Sequence, residues 1–185
     1  AYEIGGRLGG SEMGIRDSFN CKTTLQKTQK KKINIIDIGS SYGINSALMK
    51  YNLTMSDLDD FFVEQEPSIE QSKQFFENLS SDDTLDFYQI DISQPALKFS
   101  ENTGLCKKGI CVNLESGNLP IQDLPQADMI IATGCIGYIG YKAFPNLFEF
   151  IKTQQSESNL ESSEKGTVFA FPVFRLFDME KIQKI

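Results

Sequence analysis

Short apolar runs and helical apolar spacings follow one another along the chain. Five runs bounded by glycine or polar residues predict strands, at 33–38, 86–91, 109–115, 127–132 and 166–174. Apolar residues at helical intervals predict helices at 44–51, between the second and third strands, and at 142–152. Because strands alternate with helices, we expect an α/β fold, a mostly parallel sheet flanked by helices.

The segment 53–80 separates the first predicted helix from the second predicted strand. Its apolar residues favour two helical pieces broken at Pro67, and Thr54, Ser56 and Ser68 are candidate N-caps. The segment is rich in phenylalanine, which fits two alternatives. It is either scaffold packed on the edge of the sheet, or a lid that walls a ligand pocket beside Tyr138 and Tyr141.

The length, net charge and lack of histidine limit the classes of function that this chain can have. The 185 residues favour one domain, with a Gly-rich segment and basic lead-in at 1–32 and the folded domain at 33–185. The net charge of −7 gives no general attraction for nucleic acid or anionic lipid. The lysines of 27–32 are either a solvated lead-in or a phosphate-binding arm. The chain has no histidine, which excludes histidine-based triads and imidazole zinc sites.

The spacing of the four cysteines and the lack of long apolar stretches favour a location in the reducing cytoplasm. Only Cys106 and Cys111 are close in sequence, so we expect free thiols and no metal site. No apolar run is long enough to span a bilayer, and the N-terminus lacks the layout of a signal peptide. We therefore expect a cytoplasmic protein without a membrane partner, and the sequence leaves its oligomeric state open.

The loop after the first strand carries the main chemical signal. Its residues read Asp37-Ile-Gly39-Ser-Ser41-Tyr-Gly43, which fails the dinucleotide fingerprint, and no P-loop is present. The segment resembles the first motif of class I S-adenosylmethionine-dependent methyltransferases, acidic-x-Gly-x-Gly-x-Gly, with Ser41 in place of the middle glycine. The resemblance implies a Rossmann-like methyltransferase fold with S-adenosylmethionine bound at this loop.

Two further stretches resemble the same family. Asp91, followed by a serine-containing helix start, resembles the end of the family's second strand, which implies that Asp91 accepts hydrogen bonds from the ribose hydroxyls. The alternative is that Asp91 only caps a helix. The stretch 113–120 resembles the loop after the third strand, which implies that Glu115 lies near the adenine amino group. The alternative is a solvated acidic loop.

The stretch 127–138 resembles the fourth strand and the loop that faces the sulfonium, and its end is similar to a bacterial subgroup of uncharacterised methyltransferases. The resemblance implies the following cofactor-binding residues: Asp37, Gly39, Ser40, Ser41, Tyr42, Gly43, Asp91, Ile92, Asn113, Leu114, Glu115, Thr133, Gly134 and Cys135. If the acceptor needs deprotonation, the candidates are Tyr42, Tyr138, Tyr141 and Cys135, with Tyr138 and Tyr141 taken as the catalytic candidates; the alternative for each is ordinary packing.

The resemblance implies an enzyme, a transferase that moves a methyl group from S-adenosylmethionine to a small-molecule acceptor. The alternative function is a methyltransferase-like binding module that does not catalyse transfer. Two features depart from the family: the helical insertion 53–80, and a chain that ends soon after the fifth strand. Class I sheets have seven strands, so either the C-terminal strand pair is absent or the sheet is completed differently.

Overall fold

A computed structural model describes residues 32–116, 123–133, 135, 145–146, 149 and 168–170, with only the backbone for Glu115 and 168–170. The described strands are β1 (Ile33–Ile38), β2 (Leu85–Asp91), β3 (Lys108–Cys111), β4 (Met129–Ile131) and β5 (Val168–Ala170). The described helices are α1 (Ile44–Tyr51), α2 (Met55–Gln65), α3 (Ile69–Glu77) and α4 (Gln94–Asn102). Strands and helices alternate around a parallel sheet, which confirms the predicted α/β class.

The five strands form one sheet in the order β3-β2-β1-β4-β5, and every neighbouring pair is parallel. In the register, Ile36 of β1 lies between Tyr88 of β2 and Ile130 of β4. The strand order therefore reverses at β1: β2 and β3 lie on one side of it, and β4 and β5 lie on the other. In such sheets, ligands bind outside the carboxyl ends of the strands where the order reverses, which here is the end of β1 and β4.

Strand β1 lies at the centre of the sheet and contributes to both faces. Ile36 and Ile38 belong to one apolar cluster, with Ile90 and Ile130, and Ile33 and Ile35 belong to a second. The second cluster includes Met49 of α1, which shows which face that helix covers. A strand with both faces buried reads as a nearly continuous apolar run, which is why 33–38 was recognisable from sequence.

Helices α2 and α3 occupy the segment 53–80, as predicted, and Pro67 lies between them. Their buried residues, Leu58 and Phe76, pack with Leu48 of α1 in a third apolar cluster. Thr54 and Ser68 each form a complete capping box at a helix start. Ser56 is not a cap. Ser56 lies inside α2. The N-cap is Thr54 instead, since its side chain accepts the backbone N–H of Asp57.

Three strand predictions need correction. β2 starts one residue earlier than predicted, and β4 is confined to 129–131. β3 ends at Cys111 rather than at Glu115. The backbone N–H of Val112 still bonds the carbonyl of Asp91, but β2 ends there and leaves β3 no longer partner. Residues Leu114–Ser116 consequently form a 3-10 turn.

Other predictions fall wholly or partly on residues outside the described ranges. Of the predicted helix 142–152, Pro145, Asn146 and Glu149 are described and are helical. Of the predicted fifth strand, 168–170 is described, and the segment 1–31 is not. Among the described residues, no helix combines the length and apolar character that crossing a bilayer requires.

Candidate ligand-binding site

The loop between β1 and α1 is a tight turn at the carboxyl edge of the sheet. The backbone N–H of Gly39 bonds the carbonyl of Ile90 on β2 at 2.8 Å, and that of Gly43 bonds the carbonyl of Ser40 at 2.9 Å. Ser41 has φ 50°, in the left-handed region that side chains rarely adopt. Ser41 therefore adopts a backbone conformation that favours glycine.

Gly43 is required by packing inside the protein rather than by space for a ligand. It has φ 82°, and a Cβ built there would lie 2.6 Å from the Ser100 hydroxyl and 2.7 Å from the Gln89 amide nitrogen. That amide also donates to the hydroxyl of Ser46 on α1 at 2.8 Å. A side chain at position 43 would therefore force the buried side chains of Ser100 and Gln89 to move and would disturb the Gln89–Ser46 hydrogen bond.

The carboxylate of Asp91 ties the loop to the end of β2. One oxygen, Oδ2, accepts the backbone N–H of Ser41 at 2.8 Å, and the other, Oδ1, accepts that of Ser93 at 2.8 Å. Ser93 is the N-cap position of α4, so Asp91 serves the helix start as well as the loop. Asp91 is half-exposed, and each oxygen keeps a second lone pair for a ligand.

Asp37 lies beneath the loop and is fully buried. Its Oδ1 accepts the side-chain amide of Asn45 at 3.0 Å, and the same amide reaches the Thr133 hydroxyl, just after β4, at 2.6 Å. Its Oδ2 has no hydrogen-bond partner among the described residues. Burial raises the pKa of Asp37 to about 7, and nearby Asp91 adds to the shift, while the Asn45 hydrogen bond opposes it. The edge thus holds a buried carboxyl group, Asp37, close enough to the Asp91 carboxylate for that charge to raise its pKa.

Cys135 also lies close to the end of β1. Its thiol donates to the carbonyl of Ile38 at 3.0 Å. Burial, with the charge of Asp37, raises the pKa of Cys135 to about 12. At neutral pH the thiol keeps its proton, so Cys135 is not a general base. Cys106, Cys111 and Cys135 are free thiols, as predicted.

The residues that follow β2 and β3 add an apolar and polar surface beside Asp91. Ile92 is 69% exposed, and its carbonyl accepts the thiol of Cys111 at 3.3 Å. Asn113 is exposed, whereas Leu114 is buried in an apolar cluster with Ile38 and offers a ligand only its backbone.

The predicted site residues divide into a reachable set and a supporting set. Those wholly or partly exposed are Gly39, Ser41, Tyr42, Asp91, Ile92, Asn113, Thr133 and Cys135. Those buried are Asp37, Ser40, Gly43 and Leu114. Gly134, Tyr138 and Tyr141, and the side chain of Glu115, lie outside the described part of the chain.

The sequence matches no protein-family model and no curated protein. Function is therefore inferred from the residues at this edge. Within the described ranges, no three histidine, cysteine or acidic side chains converge in a way that could hold a metal ion.

Sequence reasoning missed two polar contacts that shape the edge. Asn45 joins Asp37 to Thr133, and Gln89 joins β2 to Ser46. The available signal was weak: each is an amide at a position that the apolar pattern predicts to be buried. Buried amides usually have a hydrogen-bond partner, but the sequence does not say which one.

Proposed function

We propose that this protein binds S-adenosylmethionine across the carboxyl ends of β1, β2 and β4 and transfers its methyl group to a small-molecule acceptor. The observation that carries the proposal is the half-exposed Asp91 carboxylate, which holds the Ser41 backbone N–H at the end of β2. The loop lies where the strand order reverses, the usual ligand position in doubly wound sheets.

The chemistry of Asp91 fits a ribose. A carboxylate presents two oxygens in one plane, so it can accept hydrogen bonds from two neighbouring hydroxyls. Its bonds to Ser41 and Ser93 fix its orientation and occupy only one lone pair of each oxygen. The Asp91 carboxylate would therefore bind the ribose hydroxyls without changing its orientation.

The surroundings of Asp91 fit the other parts of the cofactor. The exposed side chain of Ile92 offers an apolar surface for adenine, and exposed Asn113 lies at the end of β3 nearby. The Asp91 carboxylate makes the edge electronegative, and the ionised fraction of Asp37 adds to this, which favours a ligand with cationic sulfonium and ammonium groups. Because Asp37 is covered, it would act through its field and by orienting Asn45 rather than by direct contact.

Bound S-adenosylmethionine would supply a methyl group on a cationic sulfur, a leaving group that needs no protonation. The chain then has to hold donor and acceptor in line, which is catalysis by positioning. Asp91 would fix the ribose, and the Asn45–Thr133 contact would fix the end of β4 against the loop. Alignment of this kind does not require a histidine.

The proposal is tested with S-adenosylmethionine labelled in its methyl group. Purified protein is incubated with the label and small-molecule extracts, and label in products is measured beside Asp91→Asn. We expect transfer by the wild type and a large loss in the variant. Binding without transfer to any extract would contradict the enzymatic part and support a binding module instead. No binding of the labelled compound would overturn both.

A further inference from the structure

A second candidate site lies away from Asp91, on the helical side of the loop. An open cavity of about 320 Å³ is lined by residues of α1 to α4 and by the loop residues Tyr42 and Gly43. Its size is at the lower end of the range for small-molecule pockets. Asp91 does not line it, and the cavity shares only the loop residues Tyr42 and Gly43 with the nucleoside site proposed above.

Aromatic rings form a continuous part of the cavity wall. Tyr42 meets Phe99 edge-to-face, with ring centroids 5.5 Å apart. Phe99 meets Phe62 at 6.0 Å, and Phe62 meets Phe76 at 6.2 Å. All four rings line the cavity. An aromatic face attracts cations through its quadrupole, so such a wall can hold an apolar body and a positive group alike.

The charge around the cavity has one sign. Of the described residues that line it, Asp59 is the only charged one, and it is exposed on α2. No described lysine or arginine forms an ion pair with it. The segment 53–80, which supplies this wall, contains seven acidic residues and a single lysine. A field of this sign attracts cations and repels anions.

We propose that this cavity binds an apolar small-molecule amine. The hydrocarbon part packs among the rings and aliphatic side chains, and the ammonium group lies at the opening against the Asp59 carboxylate. A carboxylic acid of the same shape is repelled by the acidic residues of the segment 53–80, so it binds more weakly than the amine. A neutral alcohol gains the apolar contacts but not the charge interaction. The proposal concerns binding and stands independently of methyl transfer at the other site.

The test compares three probes with one skeleton: 4-phenylbutylamine, 4-phenyl-1-butanol and 4-phenylbutyrate. Each is titrated by calorimetry into the full chain at low salt, where surface charge is least screened. We expect the amine to bind about fivefold to tenfold more tightly than the alcohol, and the acid to bind weakest.

The matched variants are Asp59→Asn and Asp60→Asn. Both positions are exposed on α2, and only Asp59 lines the cavity, so both variants are expected to fold. Asp59→Asn should make the amine and the alcohol bind equally, whereas Asp60→Asn should keep most of the difference. Absence of saturable amine binding, equal binding of amine and alcohol by the wild type, or equal effects of the two variants would overturn the proposal.

Discussion

At the residue scale, Asp91 has both a structural and a proposed binding role. Its two hydrogen bonds to backbone N–H groups position Ser41 of the loop and Ser93 at the start of α4. Removing the whole side chain would disturb the loop as well as the proposed ribose contacts. Asp91→Asn preserves the shape but keeps an acceptor for only one of these N–H groups, so its stability in urea has to be measured beside its affinity.

We therefore predict that Asp91→Asn weakens binding of S-adenosylhomocysteine by about ten- to a hundredfold. Hydrogen bonds to a charged group contribute about 1.5–3 kcal/mol, and the amide removes the charge and one acceptor. Calorimetry gives the affinities. The control is Asp123→Asn, an exposed carboxylate that pairs with Lys108 at 2.8 Å. Similar losses in the two variants would show that Asp91 does not bind the ligand.

Gly43 and Gly104 form a natural pair for measuring packing against backbone strain. Both have positive φ, 82° and 74°, so alanine is strained at either position. A Cβ at 104 would have no neighbour within 4 Å, whereas one at 43 would meet Ser100 and Gln89.

We predict that Gly104→Ala lowers the free energy of unfolding by about 1 kcal/mol: the left-handed penalty is partly offset because alanine lowers the conformational entropy of the unfolded chain. Gly43→Ala should lower it by about 3 kcal/mol or more, because overpacking adds to that strain. Urea denaturation measures both. Equal losses would mean that the contacts of Gly43 do not matter for stability.

Asp37 makes stability depend on pH. Its pKa is about 7 in the folded protein and near 3.8 in the unfolded chain, so the folded state binds the extra proton between these values. Stability therefore falls as the pH rises from about 4 to about 7, by roughly 4 kcal/mol for a shift of this size.

We predict that Asp37→Asn removes this dependence, because the amide keeps the size and an acceptor for Asn45 but does not titrate. The variant should match the wild type near pH 4 and exceed it in stability above pH 7. Urea unfolding at several pH values gives the difference between the two proteins. A difference that stays constant across that range would contradict the buried, proton-binding role of Asp37.

At the element scale, the capping boxes at α2 and α3 make these helices predictable from local sequence. Thr54 with Asp57, and Ser68 with Gln71, exchange reciprocal hydrogen bonds at the helix starts. We predict that Thr54→Ala and Ser68→Ala each destabilise the protein by about 1 kcal/mol.

Ser56→Ala is the control, since Ser56 is exposed inside α2 and should change stability by less than about 0.5 kcal/mol. Thermal or urea unfolding distinguishes these outcomes. A loss at Ser56 equal to that at Thr54 would show that the cap is not what stabilises α2.

Elements defined by local patterns were predicted from the sequence, and those that depend on distant partners were not. β1 and α1 have the predicted bounds because an apolar run and a glycine turn specify them locally. The end of β3 depends on where β2 stops, which the residues 109–115 do not encode. The loop 37–43 was identified as a turn at the edge of the sheet. That the ring of Tyr42 packs against Phe99 follows from tertiary packing alone.

The same distinction applies to the polar contacts of the site. The hydrogen bond between Asn45 and Thr133 joins residues 88 positions apart, and that between Gln89 and Ser46 spans 43. Pairings at such separations are set by the strand order, not by local sequence. The roles of Asp91 and of the loop in binding a cofactor remain predictions from the family resemblance and the geometry.

At the scale of the whole molecule, strand order brings the candidate residues together. Asp37, Asp91 and Thr133 come from β1, β2 and the end of β4, and they meet because these strands are parallel neighbours. The acidic segment 53–80 adds a separate aromatic cavity on the helical side. We therefore propose that the nucleoside binds at the sheet edge and an amine in the helical cavity.

A calorimetric titration of S-adenosylhomocysteine into the folded chain, with NAD and ATP titrated in parallel, tests the proposed cofactor site most directly. We expect saturable binding of S-adenosylhomocysteine with one ligand per chain, and weaker binding of NAD and ATP. No heat at millimolar ligand, or tighter binding of NAD or ATP, would contradict the assignment of this edge to S-adenosylmethionine.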